Sequence, residues 1–356
     1  MSQWFQGLPH PLFMAGPCSA ESEEQMMEVA QGIAASGKVT VLRAGIWKPR
    51  TRPDTFEGRG EQALPWLNAA AKQNGLLSLT EVANAAHVEA ALKAEIDMLW
   101  VGARTTVNPF SVQEIADALQ GVDIPVLVKN PIHPELQLWI GALERINKAG
   151  IKKLAAIHRG FSTYEKTPFR NAPMWEIPIE LKRLIPQLPI ICDPSHISGT
   201  RELIEMVSQK ALDLDMAGLI IETHPDPEHA LSDAQQQITP ARLNELLNGL
   251  SIRNPEVSNH EFQTALEELR TKIDDLDLEI LQKFAARMDI AEKIGEYKKE
   301  NQVTILQLQR WEEIIRKRKM QGEAMGLSDA FLRKLLEIIH EESIRRQNGV
   351  MNNSSK

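Results

Sequence analysis

Short apolar runs alternate with helical stretches along residues 12–250 of this chain. The runs are rich in Val, Ile and Leu and almost continuously apolar, which is typical of strands buried on both faces of a parallel sheet. Eight such runs occur, at 12–19, 39–45, 76–82, 98–103, 125–130, 153–160, 189–196 and 218–224. Eight strand–helix units over about 240 residues match the count and size of a TIM barrel. The pattern therefore predicts an α/β fold, a (β/α)8 TIM barrel, over residues 1–250.

A doubly wound open sheet is the structural alternative for the same alternation. In dinucleotide-binding sheets of that kind, a G-x-G-x-x-G turn follows the first strand. The first run here leads into GPCSAES, which lacks this turn. The sequence thus favours the closed barrel.

The alternation stops at residues 251–260, a polar stretch with a proline that we interpret as a linker. The following residues, 261–349, are charged and helical, and they predict a C-terminal three-helix all-α domain. Residues 350–356 are polar and terminal, and we expect them to be disordered.

The first helix of this domain carries an apolar stripe with coiled-coil spacing. The stripe consists of Leu266, Leu269, Ile273, Leu276 and Ile280. At 1.5 Å per residue the helix would be roughly 60 Å long, too long to bury itself within so small a domain. We therefore expect it to pack along a second copy of the chain in a homodimer.

The composition restricts the partners and the compartment. The chain has 356 residues, a formal net charge of −8 and two cysteines. An acidic balance argues against nucleic acid or an anionic membrane surface as the main partner. Two cysteines give no disulfide framework, and no apolar run approaches the roughly 20 residues that span a bilayer. We expect a cytoplasmic protein that acts on small molecules.

Four side chains of metal-binding type lie where a closed barrel would bring them together. Cys18 follows the first run, His196 the seventh and Glu222 the eighth, and Asp233 lies in the next loop. Because the eighth strand of a barrel pairs with the first, these positions become neighbours. Thiolate, imidazole and carboxylate together suit several divalent metals, so the pattern predicts a divalent-metal site. Each residue alone could equally be an ordinary core, loop or cap residue.

Basic residues gather at the same ends of the predicted strands. They are Arg43, Lys48, Arg50, Arg104, Lys129 and Arg159. Such a cluster suits phosphate groups, which arginine can bind through two parallel hydrogen bonds. The sequence therefore predicts a site for two phosphorylated substrates.

Seven motifs in order across the barrel resemble those of the short class I DAHP synthases. They are GPCS, KPRT, GAR, VKNP, HRG, DPSH and ETHPDPEHALSDAQQQ. The resemblance implies condensation of phosphoenolpyruvate with erythrose 4-phosphate, the first step of the shikimate pathway of aromatic amino acid biosynthesis. It implies Cys18, His196, Glu222 and Asp233 as metal ligands, with manganese as the first choice and iron, zinc or cobalt as alternatives. KDO 8-phosphate synthase, which uses a five-carbon sugar phosphate, is the nearest rival, and KPRT favours the four-carbon sugar.

The resemblance also implies roles for the basic residues and for one carboxylate. Three residues, Arg104, Lys129 and Arg159, would hold the phosphate of phosphoenolpyruvate. Arg43 and Lys48 would lie near its carboxylate and the reacting centre, with Lys48 as general acid. The phosphate of the aldose would meet Arg50 and Thr51, and Glu81 would lie near the attacking water.

The helical region resembles the all-helical class of chorismate mutase, an interlocked dimer that converts chorismate to prephenate. The stretches that carry the resemblance are LRTKIDDLD, AARMDIAEKIGEYK and EESIRRQ. It implies that Arg270, Arg287 and Arg310 meet the substrate carboxylates, that Lys298 and Gln347 meet the ether oxygen, and that Ser343 lies in the same pocket. Fusion of such a module to the first enzyme of the pathway predicts feedback inhibition by prephenate.

Helical geometry bears on which chain supplies each group. Arg287 and Lys298 are eleven residues apart and share a helix face. Arg270 lies about 100° away from Arg287 around the helix, so we expect the partner chain to supply it. Gln307 and Trp311 depart from the acidic residues expected there. A non-catalytic dimerisation and regulatory tail is therefore the alternative to a bifunctional enzyme, and a barrel that binds without turnover is a third hypothesis.

Overall fold

The computed structural model describes residues 3–48, 55–164, 166–253 and 260–352. The chain forms two compact units, residues 1–255 and 256–356, and each is described by itself. Two predicted site residues, Arg50 and Thr51, lie outside the described residues, as do residues 254–259 of the predicted linker.

Eight parallel strands of the first unit close into one barrel, in the order in which they occur along the chain. They are β1 (Leu12–Gly16), β2 (Val39–Ala44), β3 (Leu77–Val82), β4 (Met98–Val101), β5 (Val126–Lys129), β6 (Leu154–His158), β7 (Ile190–Cys192) and β8 (Gly218–Glu222). Each predicted run contains one strand, so the predicted barrel is confirmed. In the pair that closes it, Gly16 of β1 is in register with Glu222 of β8, which makes the ends of the first and last strands neighbours.

The longer helices cover the outside of the barrel, while the short α1 (Gln3–Gln6) packs against its interior. The other helices of this unit are α2 (Glu23–Ala34), α3 (Leu64–Gln73), α4 (Ala85–Lys93), α5 (Ala103–Thr106), α6 (Pro109–Ala118), α7 (Leu136–Lys148), α8 (Glu176–Leu184), α9 (Pro194–Ser198), α10 (Ile204–Asp213) and α11 (Pro240–Gly249). Side chains of Ser22, Asn84, Asn108 and Thr239 cap the N-termini of α2, α4, α6 and α11. These caps satisfy backbone N–H groups that the helix leaves free, and they fix where the loops after the strands end.

Side chains inside the barrel follow the two-residue period of a strand. An inner cluster comprises Leu12, Met14, Val41, Leu79, Met98, Trp100, Leu127, Ala155, Ile157, Ile191 and Ile220, and Phe5 of α1 joins it. The same period continues beyond the last apolar layer and places polar residues on the inward side of the strand ends. These are Arg43, Glu81, Lys129, Arg159, Asp193 and Glu222. The barrel thus carries its chemistry at the carboxyl ends of its strands.

A glycine permits the closest approach at the closure of the barrel. A Cβ on Gly218 would lie 2.1 Å from the carbonyl oxygen of Leu12. We expect Gly218→Ala to lower the free energy of unfolding by about 2–3 kcal/mol, because the paired backbones must separate. Gly141→Ala in α7 is the control, since its Cβ would meet nothing within 4 Å. Denaturant unfolding should show that the control variant is at least as stable as the original chain; equal losses in both variants would contradict this account of closure.

The second unit consists of α12 (His260–Glu300), α13 (Leu308–Ala324) and α14 (Asp329–Asn352). This confirms the predicted three-helix domain. The helices α12 and α14 pack closely at Gly295, where a Cβ would lie 3.1 Å from Cα of Gln347. The last helix continues through Asn352, so the prediction of disorder was wrong for residues 350–352, which complete a helical turn; residues 353–356 lie outside the described residues.

The predicted apolar stripe of α12 is largely uncovered in the single chain. The exposed fractions are 57% for Leu269, 55% for Ile273, 57% for Leu276 and 49% for Ile280. No helix in the described part of the chain combines the length and the apolar character that crossing a bilayer requires.

Candidate active sites

Three of the four predicted metal ligands converge where β1 and β8 end. One ligand atom each from Cys18, Glu222 and Asp233 lie within 4.8 Å of one another. The Cys18 Sγ atom is 3.4 Å from Oδ2 of Asp233. His196 stands beside this group, with Nε2 3.8 Å from Oε1 of Glu222. Barrel closure therefore gathers all four residues, with His196 at the edge of the cluster.

The cluster concentrates groups that become anionic when they ionise. Burial raises the pKa of the Cys18 thiol to about 12, and the neighbouring Glu222 carboxylate acts in the same direction. Burial also opposes ionisation of Glu222, yet His196 and Arg43 hold its pKa below the usual value. A divalent cation would balance these charges, and this donor set of sulfur, nitrogen and oxygen suits one.

The amine of Lys48 lies directly against the cluster. Its Nζ donates to the carbonyl oxygen of Cys18 and to Cys18 Sγ, each at 3.0 Å. Gly45 leaves room for this side chain, because a Cβ there would lie 3.0 Å from Cδ of Lys48 and 2.6 Å from the Cys18 carbonyl oxygen. A proton donor is thus placed next to the candidate metal site.

The Trp100 ring packs beneath the basic residues at the strand ends, a contact that the sequence did not reveal. The guanidinium of Arg43 lies 4.7 Å from the centre of the Trp100 ring, and the Lys129 amine lies 5.4 Å from it. The indole Nε1 donates to Oε2 of Glu81 at 3.0 Å. Arg43 also donates to Oε1 of Glu222 at 3.0 Å, so it connects the Trp100 ring to the candidate metal ligands.

Asp193 links the cluster of candidate metal ligands to a predicted phosphate ligand, and the sequence alone gave it no role. Its Oδ2 lies 2.9 Å from Nδ1 of His196 and accepts a hydrogen bond from Lys129 Nζ at 2.8 Å. Its Oδ1 accepts from the backbone N–H of His196 at 3.1 Å. Burial opposes its ionisation, but His196 and Lys129 hold the pKa of Asp193 well below its usual range. The inward period of β7, which continues from Ile191 to Asp193, was the signal that could have found it.

The predicted phosphate ligands form a cationic wall. Arg159 is almost fully buried, and its Nη1 donates to Oδ1 of Asn171 at 2.7 Å. Burial lowers the pKa of Arg159 to about 10, and the positive charges of Arg170 and Arg104 act in the same direction. A bound anion would relieve this repulsion. His158 does not belong to the wall, since it faces outward against Phe161 and Trp175.

Three further residues that the sequence did not single out hold the cluster in place. Arg170 donates to Oδ1 of Asp233 at 3.2 Å and to Oε1 of Gln236 at 2.6 Å. Gln236 in turn donates to Oε2 of Glu222 at 2.6 Å. Gln237 accepts from the backbone N–H of Cys18 at 2.8 Å. The QQQ end of the last barrel motif thus orients two candidate metal ligands.

The second unit has a cavity of its own between its three helices. Five predicted residues line it, namely Arg287, Lys298, Arg310, Ser343 and Gln347, together with Gln307, Trp311 and His340. Arg287 donates to Oγ of Ser343, and Lys298 donates to the carbonyl oxygen of Ile305. The buried Oε1 of Gln347 has no hydrogen-bond partner among the described residues, so it is available to a ligand. Arg270 does not line the cavity of its own chain; it is exposed and pairs with Glu267.

The sequence model of the DAHP synthetase I family matches residues 3–254, and that of chorismate mutase type II matches residues 269–348. A phospho-2-dehydro-3-deoxyheptonate aldolase from Thermotoga maritima is 35% identical over 234 residues, which cover 66% of this chain and 67% of that protein. A 2-dehydro-3-deoxyphosphooctonate aldolase from Rhodopseudomonas palustris is 27% identical over 256 residues, which cover 67% of this chain and 85% of that protein.

Solved structures show the same likeness for the barrel. The crystal structure of a DAHP synthase from Thermotoga maritima is 32% identical, with a TM-score of 0.59 and coverage of 67% of each chain. The first family match spans the closed barrel and its clustered polar strand ends, and the second covers most of the three helices and the residues that line their cavity. This chain therefore belongs to the DAHP synthetase I family and joins that barrel to a chorismate mutase type II domain.

Proposed function

We propose that the barrel condenses phosphoenolpyruvate with erythrose 4-phosphate to give DAHP and inorganic phosphate at a divalent metal. The observation that carries this proposal is the convergence of Cys18, Glu222 and Asp233 within 4.8 Å, beside the amine of Lys48. His196 would be the fourth ligand. Manganese is the proposed ion, with iron, zinc or cobalt as alternatives; a bound cation would polarise the aldehyde carbonyl as a Lewis acid.

The protein groups then divide the chemistry among them. Carbon 3 of phosphoenolpyruvate attacks the aldehyde carbon, and Lys48 gives a proton to the oxygen that becomes a hydroxyl. Water adds at carbon 2, where positive charge develops, and Glu81 takes up its proton. The resulting hemiketal phosphate loses inorganic phosphate to leave the keto acid.

The cationic residues act by positioning the substrates. Arg104, Lys129 and Arg159 would hold the phosphate of phosphoenolpyruvate, and Arg43 would lie near its carboxylate. Arg50 and Thr51 remain the predicted ligands of the aldose phosphate. Holding both substrates in reactive geometry can lower a barrier by several kcal/mol.

Two assays test the synthase proposal. Loss of phosphoenolpyruvate should occur with erythrose 4-phosphate and not with the five-carbon arabinose 5-phosphate. A chelator should stop the reaction, and added manganese should restore it. Turnover with only the five-carbon sugar, or full activity without metal, would overturn the proposal.

Asp193 is expected to act on the metal through His196. Asp193→Asn keeps the cap of α9 but removes the charge that faces His196 and Lys129. We expect manganese affinity, measured by calorimetric titration, to fall about 10–100-fold. Asp226→Asn is the matched control, because Asp226 makes the same pair with a histidine three residues on, His229, at an exposed position. Equal affinity in both variants would contradict this role.

We also propose that the helical unit converts chorismate to prephenate as a homodimer. The exposed stripe of α12 offers a surface for a second copy, and that copy would supply Arg270. Arg287 and Arg310 would bind the substrate carboxylates with it, while Lys298 and Gln347 meet the ether oxygen. Ser343 would hold Arg287 in place. Such groups accelerate a pericyclic reaction by stabilising its charge-separated transition state.

A non-catalytic regulatory tail is the second candidate for this unit, and the aromatic residue at Trp311 is the observation in its favour. Prephenate feedback on the synthase is proposed in either case, since the unit would bind a later intermediate of the pathway. An assay of chorismate loss separates the two functions: turnover by the original chain supports the mutase, and its absence supports the regulatory tail.

A further inference from the structure

Two polar side chains of the helical cavity, His340 and Gln307, have no role in the mechanism above. His340 of α14 lines the cavity together with Arg287 and Lys298 of α12. Its imidazole stacks on the indole of Trp311 of α13, with ring centres 3.8 Å apart and planes 12° apart. In the described part of the chain, neither ring nitrogen takes part in a hydrogen bond within the protein.

The stack determines what His340 can offer to a ligand. A flat contact occupies one face of the ring and leaves the edge, which carries both nitrogens, free to bond. Burial lowers the pKa of His340, Arg287 and Lys298 act in the same direction, and Glu341 opposes them. The imidazole is therefore neutral near pH 7, with one nitrogen as donor and the other as acceptor.

The ring hydroxyl of chorismate is the one polar group of this substrate that the mechanism above leaves without a partner in the cavity. Chorismate carries two carboxylates, an ether oxygen and one ring hydroxyl. Arg287 and Arg310 match carboxylates, and the Lys298 amine and the side-chain N–H groups of Gln347 are donors that match the ether oxygen. No Asp or Glu lies among the described residues that line the cavity, so no carboxylate is there to accept from the hydroxyl.

We propose that His340 binds the ring hydroxyl of the substrate and that Trp311 is the positioning residue that holds the imidazole for it. This inference rests on the mutase function proposed above. Gln307, the other uncommitted polar residue of the cavity, is the rival for the same contact.

His340→Phe tests the proposal, because phenylalanine keeps a flat ring for the stack and removes both nitrogens. For chorismate, kcat/KM should fall about 10–100-fold, as expected when a hydroxyl loses its hydrogen-bond partner. For the analogue with hydrogen in place of the hydroxyl, kcat/KM of the original chain and of the variant should agree within about twofold. The analogue has no hydroxyl for His340 to bind, so removing the imidazole should cost it little. A loss of equal size on both substrates would indicate a purely structural effect and would overturn the proposal.

Gln307→Ala is the matched variant for the rival contact. This variant should leave the ratio of kcat/KM for chorismate to kcat/KM for the analogue as it is in the original chain. If this variant removes the preference for the hydroxyl while His340→Phe retains it, the assignment to His340 is wrong.

A binding measurement separates this inference from the mutase proposal. If the original chain does not turn over chorismate, the mutase proposal fails, but prephenate, which keeps a ring hydroxyl, can still be titrated by calorimetry. His340→Phe should then weaken prephenate binding about tenfold, or about 1.4 kcal/mol. Unchanged affinity, in a variant with the helix content of the original chain, would overturn the role of His340.

Discussion

Replacement of Cys18 by alanine is expected to lower the rate of DAHP formation at least about a thousandfold, equivalent to about 4 kcal/mol in the barrier. The variant loses the thiol proposed as the sulfur ligand, whose Sγ lies 3.4 Å from Oδ2 of Asp233 and 3.0 Å from the Lys48 amine. Without it the other proposed ligands would hold a cation more weakly, and the aldehyde would lose its electrophilic activation. Initial rates and metal content per chain, measured on the same preparation, check both effects.

The second cysteine provides a control for the loss of a buried thiol. Cys192 is also fully buried, but it belongs to the cluster between the strands and the outer helices. Cys192→Ala should lower stability by about 1 kcal/mol and leave both metal content and rate nearly unchanged. If Cys18→Ala retained its metal and its activity, the proposed ligand set would be wrong.

Replacement of Arg287 by alanine is expected to reduce chorismate loss at least about a hundredfold, since it removes a charged hydrogen-bond donor from the transition state. The same variant should lose inhibition of DAHP formation by prephenate. Its DAHP formation without prephenate should match that of the original chain, because all the catalytic groups proposed for that reaction belong to the barrel. Chorismate loss and DAHP formation with and without prephenate are the three measurements.

Arg345→Ala is the matched control in the same unit. Arg345 is exposed and pairs with Glu342, and it does not line the cavity. This variant should keep chorismate turnover and inhibition within about twofold, as exposed ion pairs contribute little. Normal chorismate turnover by Arg287→Ala would refute the proposed site, and retained inhibition in that variant would place the prephenate site elsewhere.

The strands were predictable because their signal is local and strong. A strand buried on both faces must be apolar at nearly every position, and eight such runs leave few alternatives to a barrel. Pairing of the eighth strand with the first then closes the barrel, and it brings Cys18 and Glu222 together although they are far apart in the sequence. In the structure Gly16 is paired in register with Glu222, as expected if the ends of the first and eighth strands are neighbours.

The supporting residues were less predictable because their partners are set by packing. Asp193 faces inward by the same period as Glu222, yet only the structure shows that it serves both His196 and Lys129. The pairing of Trp311 with His340 joins residues of two helices, and no spacing within one helix indicates it. The prediction of disorder from residue 350 failed because α14 continues its packing and hydrogen bonding beyond the last motif residue.

X-ray absorption at the edge of the bound metal tests the central claim most directly. For protein loaded with one manganese ion per chain, the account predicts one sulfur in the first coordination shell, with nitrogen and oxygen as the other ligands. The sulfur signal should persist in Cys192→Ala and disappear in Cys18→Ala. A first shell of nitrogen and oxygen alone in the original chain would contradict the claim that barrel closure builds a Cys18, His196, Glu222 and Asp233 metal site.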